Sequence, residues 1–562
     1  MSPRRSSTQP AKIQPTRYWD RENAFVAQLA ACVAFISFAY YFQHNDLLLY
    51  GDAVAHINIA RRVFDSRTPG ILQLGTVWLP LPHLLMIPFL LFEGAWQSGV
   101  GGSIPSMVAY VLGTAGMFRL LRCALSVGPE PDLQARIAGW LGAITYAANP
   151  NLIYLQTSAM TESLYLALFV WALVYFSDLV RQSSQKDGPP NAASSALVRC
   201  GLCLAAACFT RYDGWFLAVG ICIAAMAVVS QSNNHSLRRS FAKFVLLAAA
   251  APALWLAYNA IIYRNPLEFA NGPYSARAIE QKSATPGLPG HPGSHDLHVA
   301  FSYFMKSAEL NMAEGKSQKL WVGLLLAGTI AILVLDRKLW PLLLLWAPLP
   351  FYMLSIAYSG VPVFVPTWWP FSFYNVRYGL QLLPLFSMTM AVTAFLLLRF
   401  VQNKIAKTAI VPAAVILLAV NYAFVWRAQP VCFREAWVNS RTRIAFETEL
   451  ASNLNKLPHD SNLLMYLGDH VGALQRAGIP LRRTINEGNH RPWKSPADSE
   501  GLWERALANP SQYVDFVIAM DGDPVAVGVQ RQGLTSLIVI STTGQPTAII
   551  YWTHTPASGS NR

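Results

Sequence analysis

Tyr50-Gly51-Asp52-Ala53-Val54-Ala55-His56-Ile57-Asn58-Ile59-Ala60-Arg61-Arg62 follows almost directly on the first long apolar segment, 24–42. Val54, Ile57, Ala60, Val63 and Phe64 recur at helical spacing, while Asp52, His56, Arg61 and Arg62 fall on other faces. A carboxylate just outside a membrane span, on an amphipathic helix along the interface, is well placed to act as a base. It would meet a lipid-borne substrate at headgroup depth. The competing reading is local, because Gly-Asp ahead of an apolar-periodic run is an ordinary helix start and Asp52 would then only cap it. What else reaches the same face decides between them.

Composition sets the class. Of 562 residues, 53% are hydrophobic and only 13% charged, where soluble domains carry about 25% charged residues. The chain is therefore expected to be a polytopic α-helical membrane protein. Its 17 Trp and 22 Tyr suit the aromatic belts of bilayer interfaces. The net charge of +13 does not point to nucleic acid, because the basic residues sit in short clusters between apolar segments, where they orient spans. Six of seven Cys lie in or beside apolar segments and only Cys432 in the polar tail, so no disulfide framework is implied. Arg4, Arg5, Lys12 and Arg17 ahead of the first span predict an uncleaved anchor with a cytoplasmic basic tail, 1–23.

Segments of spanning length, about 17–25 residues, are 24–42, 101–121, 155–179, 214–230, 241–262, 319–335, 339–358, 377–401 and 409–426. Two shorter ones, 137–148 and 198–209, extend into their flanks. Basic clusters occur at Arg119/Arg122/Arg136, Arg181/Lys186, Arg238/Arg239/Lys243, Arg337/Lys338 and Lys404/Lys407. Placing all of them inside is consistent only if 77–92, interrupted by Pro80, Pro82 and Pro88, does not cross but lies juxtamembrane or re-entrant. The expectation is about eleven spans, N-terminus in and C-terminus out, in a bacterial cell membrane.

The outside connections then collect the unusual polar residues. They are 43–100 with Asp52 and His56, the turn Asn149-Pro150-Asn151 leading to Thr161-Glu162, and Thr210-Arg211-Tyr212-Asp213-Gly214. The loop 263–318, the aromatic loop 359–376 running into Arg377-Tyr378, and the tail after Arg427 complete the set. Glu162, read about two turns inside its span, and Arg377, opening one, are charges whose cost marks them as functional. The plainer reading is that Glu162 pairs with Arg211 or Arg377 to tie the bundle together. Within 263–318, the stretch 285–293 is too rich in Pro and Gly for regular structure and is expected to be a polar lid. His291 and His295 with Asp296, and His298 nearby, are candidates for a divalent metal cofactor.

From about residue 430 charge rises and the pattern alternates. A helix is predicted at 443–457 and another at 471–477. Strands are predicted at 462–467, 483–485, 514–520, 536–540 and 548–552, which together make a small α/β domain over 430–562. Gly468-Asp469-His470 follows a strand without a phosphate-binding glycine pattern.

With these positions located, residues 24 to 430 resemble the C-superfamily (GT-C) glycosyltransferases. They are most similar to the family of protein O-mannosyltransferases and the aminoarabinose transferase of lipid A. The pieces are Gly51-Asp52-Ala53-Val54-Ala55-His56, Trp78-Leu79-Pro80-Leu81-Pro82-His83, Met160-Thr161-Glu162-Ser163-Leu164-Tyr165, Thr210-Arg211-Tyr212-Asp213-Gly214-Trp215 and Asn375-Val376-Arg377-Tyr378. The resemblance implies a polyprenyl-phosphate-sugar donor and inverting transfer, on the extracytoplasmic side, to a lipid, glycan or protein acceptor. It makes Asp52 the general base, Glu162 a second acid, and Arg377 with Arg211 the donor-phosphate clamp. His56, Tyr212, Asp213 and Tyr378 become substrate-site candidates. An acceptor hydroxyl needs a carboxylate and a departing phosphate needs fixed cations, so the chemistry agrees. Asp52-Ala53 departs from the adjacent Asp-Glu of many relatives, which weighs against a metal at this motif and against a protein acceptor. The tail is not the sugar-binding trefoil of the eukaryotic mannosyltransferases. A lipid-sugar flippase would show internal repeats and midplane charges, and an oligosaccharide ligase or polymerase a larger basic surface. Neither feature is visible.

Overall fold

The computed structural model describes residues 19–126, 131–183, 191–232, 234–283, 290–335, 337–489, 500–530 and 532–553. Helices of eleven residues or more are numbered along the chain. They begin with α1 Arg21–Gln43, α2 Gly51–Arg62, α3 Pro80–Leu90, α4 Val100–Ala124, α5 Leu133–Ala147, α6 Glu162–Ser183, α7 Ala192–Cys208 and α8 Asp213–Ser230. They continue with α9 His235–Tyr263, α10 Leu297–Met312, α11 Ser317–Leu335, α12 Pro348–Tyr358, α13 Leu383–Phe400, α14 Lys404–Ala428 and α15 Val431–Leu454. Polar residues punctuate the apolar runs: Asp20 accepts the Asn23 amide at 2.8 Å to cap α1, and Asn234 and Asn403 cap α9 and α14 in the same way.

Nine helical segments among the described residues are long and apolar enough to cross a membrane. The shorter α5 and α7, 15 and 17 residues, pack alongside them, so nine candidate spans stand roughly in line with the eleven expected. The protein is a multi-pass membrane protein. α3 has eleven residues, about 16 Å at the helical rise, too short to cross, and it packs beside α2 and α4.

Several expectations are corrected. The predicted span 155–179 is broken: a short helix, Pro150–Leu155, ends in a turn at 156–161, and α6 starts at Glu162. Glu162 is therefore the first residue of its helix and not two turns inside one. Arg377 does open its span, 376–400, in a 3-10 stretch, Val376–Leu382, that runs into α13. The predicted helix at 443–457 begins twelve residues earlier, at Val431, and ends at Leu454. The expected loop 263–318 is largely helical, with α10 packed on the 3-10 stretch. Its residues 284–289, part of the expected lid, lie outside the described residues.

The tail folds into a five-stranded sheet of order β2-β1-β3-β5-β4. Its strands are β1 Leu463–Met465, β2 Thr484–Ile485, β3 Phe516–Met520, β4 Thr535–Ile540 and β5 Ala548–Trp552. β2, β1 and β3 are parallel, and β5 runs antiparallel to β3 and β4. Side chains alternate: Leu463, Met465, Phe516 and Ile518 join the core shared with the bundle, whereas Leu464, Val517 and Ala519 join a separate core under the helix Leu502–Ala508. Because both faces are covered, β1 and β3 are buried throughout.

α2 sits between the bundle and this sheet. Ile57 packs against Gly102 of α4, where an added Cβ would lie 2.8 Å from it. On the other side, Asn58 donates to Gln475 at 2.7 Å. Asp65, 1% exposed, accepts from Arg61 Nε at 2.8 Å and from the backbone amides of Leu481 and Arg482 at 3.2 and 3.3 Å.

Candidate active site

α2 is not capped by Asp52. Its N-cap is Tyr50, with no side-chain cap bond, and Asp52 in the first turn turns its carboxylate outward to Arg377. Arg377 Nη2 donates to Asp52 Oδ2, and Nη1 donates to Glu435 Oε1 at 3.1 Å. Arg377 Nε stands 3.2 Å from Glu162 Oε1, and its backbone amide donates to Glu435 Oε2 at 3.2 Å. One guanidinium is thus held by three carboxylates from α2, α6 and α15. The side chains of Glu162 and Glu435 are 1% and 2% exposed, that of Asp52 39%. Asp52 is the carboxylate of this set that solvent reaches.

A second guanidinium continues the network. Arg211 Nη1 donates to Thr161 Oγ1 at 2.9 Å and to Glu162 Oε1 at 3.4 Å. Its Nη2 donates to the Tyr352 hydroxyl at 2.8 Å and its Nε to Asp213 Oδ2 at 3.3 Å. Tyr352 in turn donates to Asp213 Oδ2 at 3.0 Å. The Tyr378 ring lies between the two cations, 5.1 Å from Arg377 and 5.3 Å from Arg211, a spacing at which ring and cations attract. Tyr50 stands 5.1 Å from Arg377 on another side. Beneath, Gly379 lets the 3-10 stretch meet α10: an added Cβ would lie 2.3 Å from Ser307 backbone. Ser307 Oγ donates to the Val376 carbonyl at 2.7 Å.

The structure gathers Asp52, Glu162, Arg211, Asp213, Arg377 and Tyr378, all expected from sequence. Glu435, Tyr352 and Tyr50 were missed. Glu435 had a signal, because it falls on the buried stripe of α15 with Val431, Cys432 and Ala436, a position where an acid demands a partner.

Other candidates stand apart. His56 is 4% exposed, its Nδ1 2.9 Å from Nε2 of His83 and its ring 4.6 Å from that of Trp78. Burial, with the Arg377 charge, lowers its pKa to about 3, so it is neutral. Tyr212 donates to the Val77 carbonyl at 2.9 Å and stacks on Phe269. The metal expectation for 291–296 finds no support: no group of three His, Cys, Asp or Glu among the described residues could hold an ion. His291 pairs with Glu280 and lies 2.8 Å from the Ile356 carbonyl, while Asp296 caps α10.

Two guanidinium groups among four carboxylates leave a surplus of acceptors. Glu162 Oε2 and Asp213 Oδ1 are buried without a hydrogen-bond partner. The cluster can take a proton at its exposed edge, hold an anion on guanidinium, and accept hydroxyls at its base.

No protein-family model and no curated sequence matches the chain. Among solved structures, ArnT from Cupriavidus metallidurans superposes on it with a TM-score of 0.56 and 13% identity, over 94% of this chain and 97% of that one. The chain has the ArnT fold. The same figures hold for ArnT bound to undecaprenyl phosphate. The oligosaccharyltransferase of Archaeoglobus fulgidus aligns over 97% of this chain and 76% of its own, at a TM-score of 0.44 and 12% identity. The ArnT fold is of the GT-C type that the sequence resemblance implied, and it covers the C-terminal sheet as well as the bundle.

Proposed function

We propose that this chain is an integral-membrane glycosyltransferase that moves a sugar from a polyprenyl-phosphate carrier to an extracytoplasmic hydroxyl acceptor. The observation that carries the reading is the single solvent-reached carboxylate, Asp52, bonded to a guanidinium that is itself fixed by buried acids. ArnT, whose fold it has, was solved with undecaprenyl phosphate, which supports a polyprenyl lipid as partner.

In this reading the donor phosphate takes the Arg377 edge that Asp52 now occupies, with Arg211 behind it. Asp52 is thereby released to take the acceptor proton. The acceptor oxygen attacks the anomeric carbon from the face opposite the phosphate, the carbon–oxygen bond to phosphate breaks, and the configuration inverts. The electron pair leaves on the lipid phosphate, stabilised by the guanidinium groups. Glu162 Oε2 and Asp213 Oδ1 accept sugar hydroxyls. The site faces the outside of the bacterial inner membrane, with the N-terminus inside.

The same network is also what a purely structural tie would give, so the test must separate the two. Purified protein in nanodiscs is titrated with undecaprenyl phosphate. The wild type binds, and Arg377→Lys, which keeps charge but loses the fork, binds about ten-fold more weakly at unchanged fold. Equal affinity for both, or no binding by the folded wild type, returns the network to a structural role.

A further inference from the structure

α15 leaves a stripe uncovered. Arg434, Trp437, Val438 and Arg441 recur at i, i+3, i+4 and i+7, with Trp437 45% and Val438 46% exposed. Facing it, the loop between α12 and the 3-10 stretch exposes Trp369 by 52%, Phe371 by 67% and Tyr374 by 44%. The two surfaces are one: Asn439 Nδ2 donates to the Phe373 carbonyl at 2.9 Å, and the Arg434 guanidinium lies 5.2 Å from the Phe373 ring. Arg441 lies 4.6 Å from the Trp437 ring. No acid pairs with Arg434 or Arg441 among the described residues. Beyond Arg441 a shallow groove of about 530 Å³ runs to Thr542 and Thr543.

Exposed tryptophans and phenylalanine beside unpaired arginines are costly in water and suited to the bilayer interface, where rings sit at headgroup level and guanidinium groups meet lipid phosphates. The loop of the patch joins the ends of two candidate spans, at Tyr358 and Val376, and α15 starts at Val431, directly after α14 ends at Ala428. It also leads inward. Arg434 is followed by Glu435, whose carboxylate holds Arg377, and the loop that exposes Phe371 runs through Tyr374 and Asn375 to Arg377 itself.

We propose that this patch is the portal by which a lipid phosphate in the outer leaflet approaches the site, passing from Arg441 and Arg434 to Arg377. This rests on the proposed use of a polyprenyl-phosphate donor and adds its route. The aromatic residues hold the loop at headgroup depth, and the two arginines raise the local concentration of the phosphate before it exchanges onto Arg377.

The test uses full-length protein in phosphatidylcholine nanodiscs with undecaprenyl phosphate as the probe. With p-benzoylphenylalanine in place of Phe371, irradiation is expected to cross-link the probe, and excess unlabelled undecaprenyl phosphate to compete. The double variant Arg434→Gln/Arg441→Gln should capture the probe more slowly, by about five-fold per arginine in association rate, with a weaker salt dependence. Cross-links only to a second copy of the chain or to phosphatidylcholine, or a double variant that captures the probe as fast as the wild type does, would overturn the portal. If Arg377→Lys weakens binding while the double variant captures the probe as fast as the wild type, only the portal falls. If the folded wild type binds no undecaprenyl phosphate, the functional reading itself falls.

Discussion

At Asp52 the geometry separates two roles that the sequence left open. Because Tyr50 is the N-cap and Asp52 makes no cap bond, Asp52→Asn should leave thermal stability close to wild type. Transfer should drop by roughly 10²–10⁴-fold, the usual worth of a general base, with donor lipid still bound. Near-wild-type turnover of Asp52→Asn in a single-turnover assay would move the base elsewhere. His56 yields a pH prediction. Its folded pKa of about 3 lies below the unfolded value of 6.5, so the unfolded chain protonates first as pH falls. The stability tied to neutral His56 is complete above pH 6.5 and is lost progressively between 6.5 and 3. Unfolding temperatures from pH 7.5 to 5 should therefore fall more steeply for wild type than for His56→Gln; parallel curves would remove His56 as the cause. Charges beside spans are easily noticed in a sequence, which is why Arg211, Glu162 and Arg377 were legible. Tyr352 was not, since its hydroxyl, one of three with Ser355 and Tyr358 in the largely apolar run Pro348–Tyr358, breaks no pattern.

Among the elements, spans were legible by length and the strands by their apolar runs between turns. The break before Glu162 was not. Thr157 and Ser158 hydrogen-bond back to the carbonyls of Tyr154 and Leu155 at 2.7 and 2.8 Å. Such self-satisfied hydroxyls let a helix stop inside a hydrophobic stretch without lowering its average hydropathy much. The start of α15 was hidden differently, because its first turns mix Glu435 and Arg434 with apolar residues and so read as neither span nor amphipathic helix. Packing makes Gly379 the element-scale test. A methyl there meets Ser307 backbone, which cannot rotate away, so Gly379→Ala should cost about 1–3 kcal/mol. It should also shift Arg377, two residues earlier, and weaken undecaprenyl phosphate binding. Stability and binding that both match wild type would show that the 3-10 stretch moves freely on α10.

Across the whole molecule, the cluster, the exposed aromatic patch and the five-stranded sheet lie on one face, while Arg239 lies at the far end of α8 and α9. With Cys placed at exposed Asn455 and Arg239 in separate variants, an impermeant maleimide should modify Asn455→Cys on intact cells and Arg239→Cys only after permeabilisation. The reverse pattern would turn the acids and arginines toward the cytoplasm and remove the proposed acceptor side. The anchoring of α2 has a practical consequence for handling the protein. Cutting the chain near residue 430, to keep only what the bilayer holds, would discard Glu435, Gln475 and the Leu481 and Arg482 amides together. Every span would survive and the preparation would look well behaved, yet the helix bearing Asp52 would have lost its outer bracing. The C-terminal quarter, 430–562, is thus no removable appendage, and exchanging it for that of a related protein would succeed only with those few braces carried along.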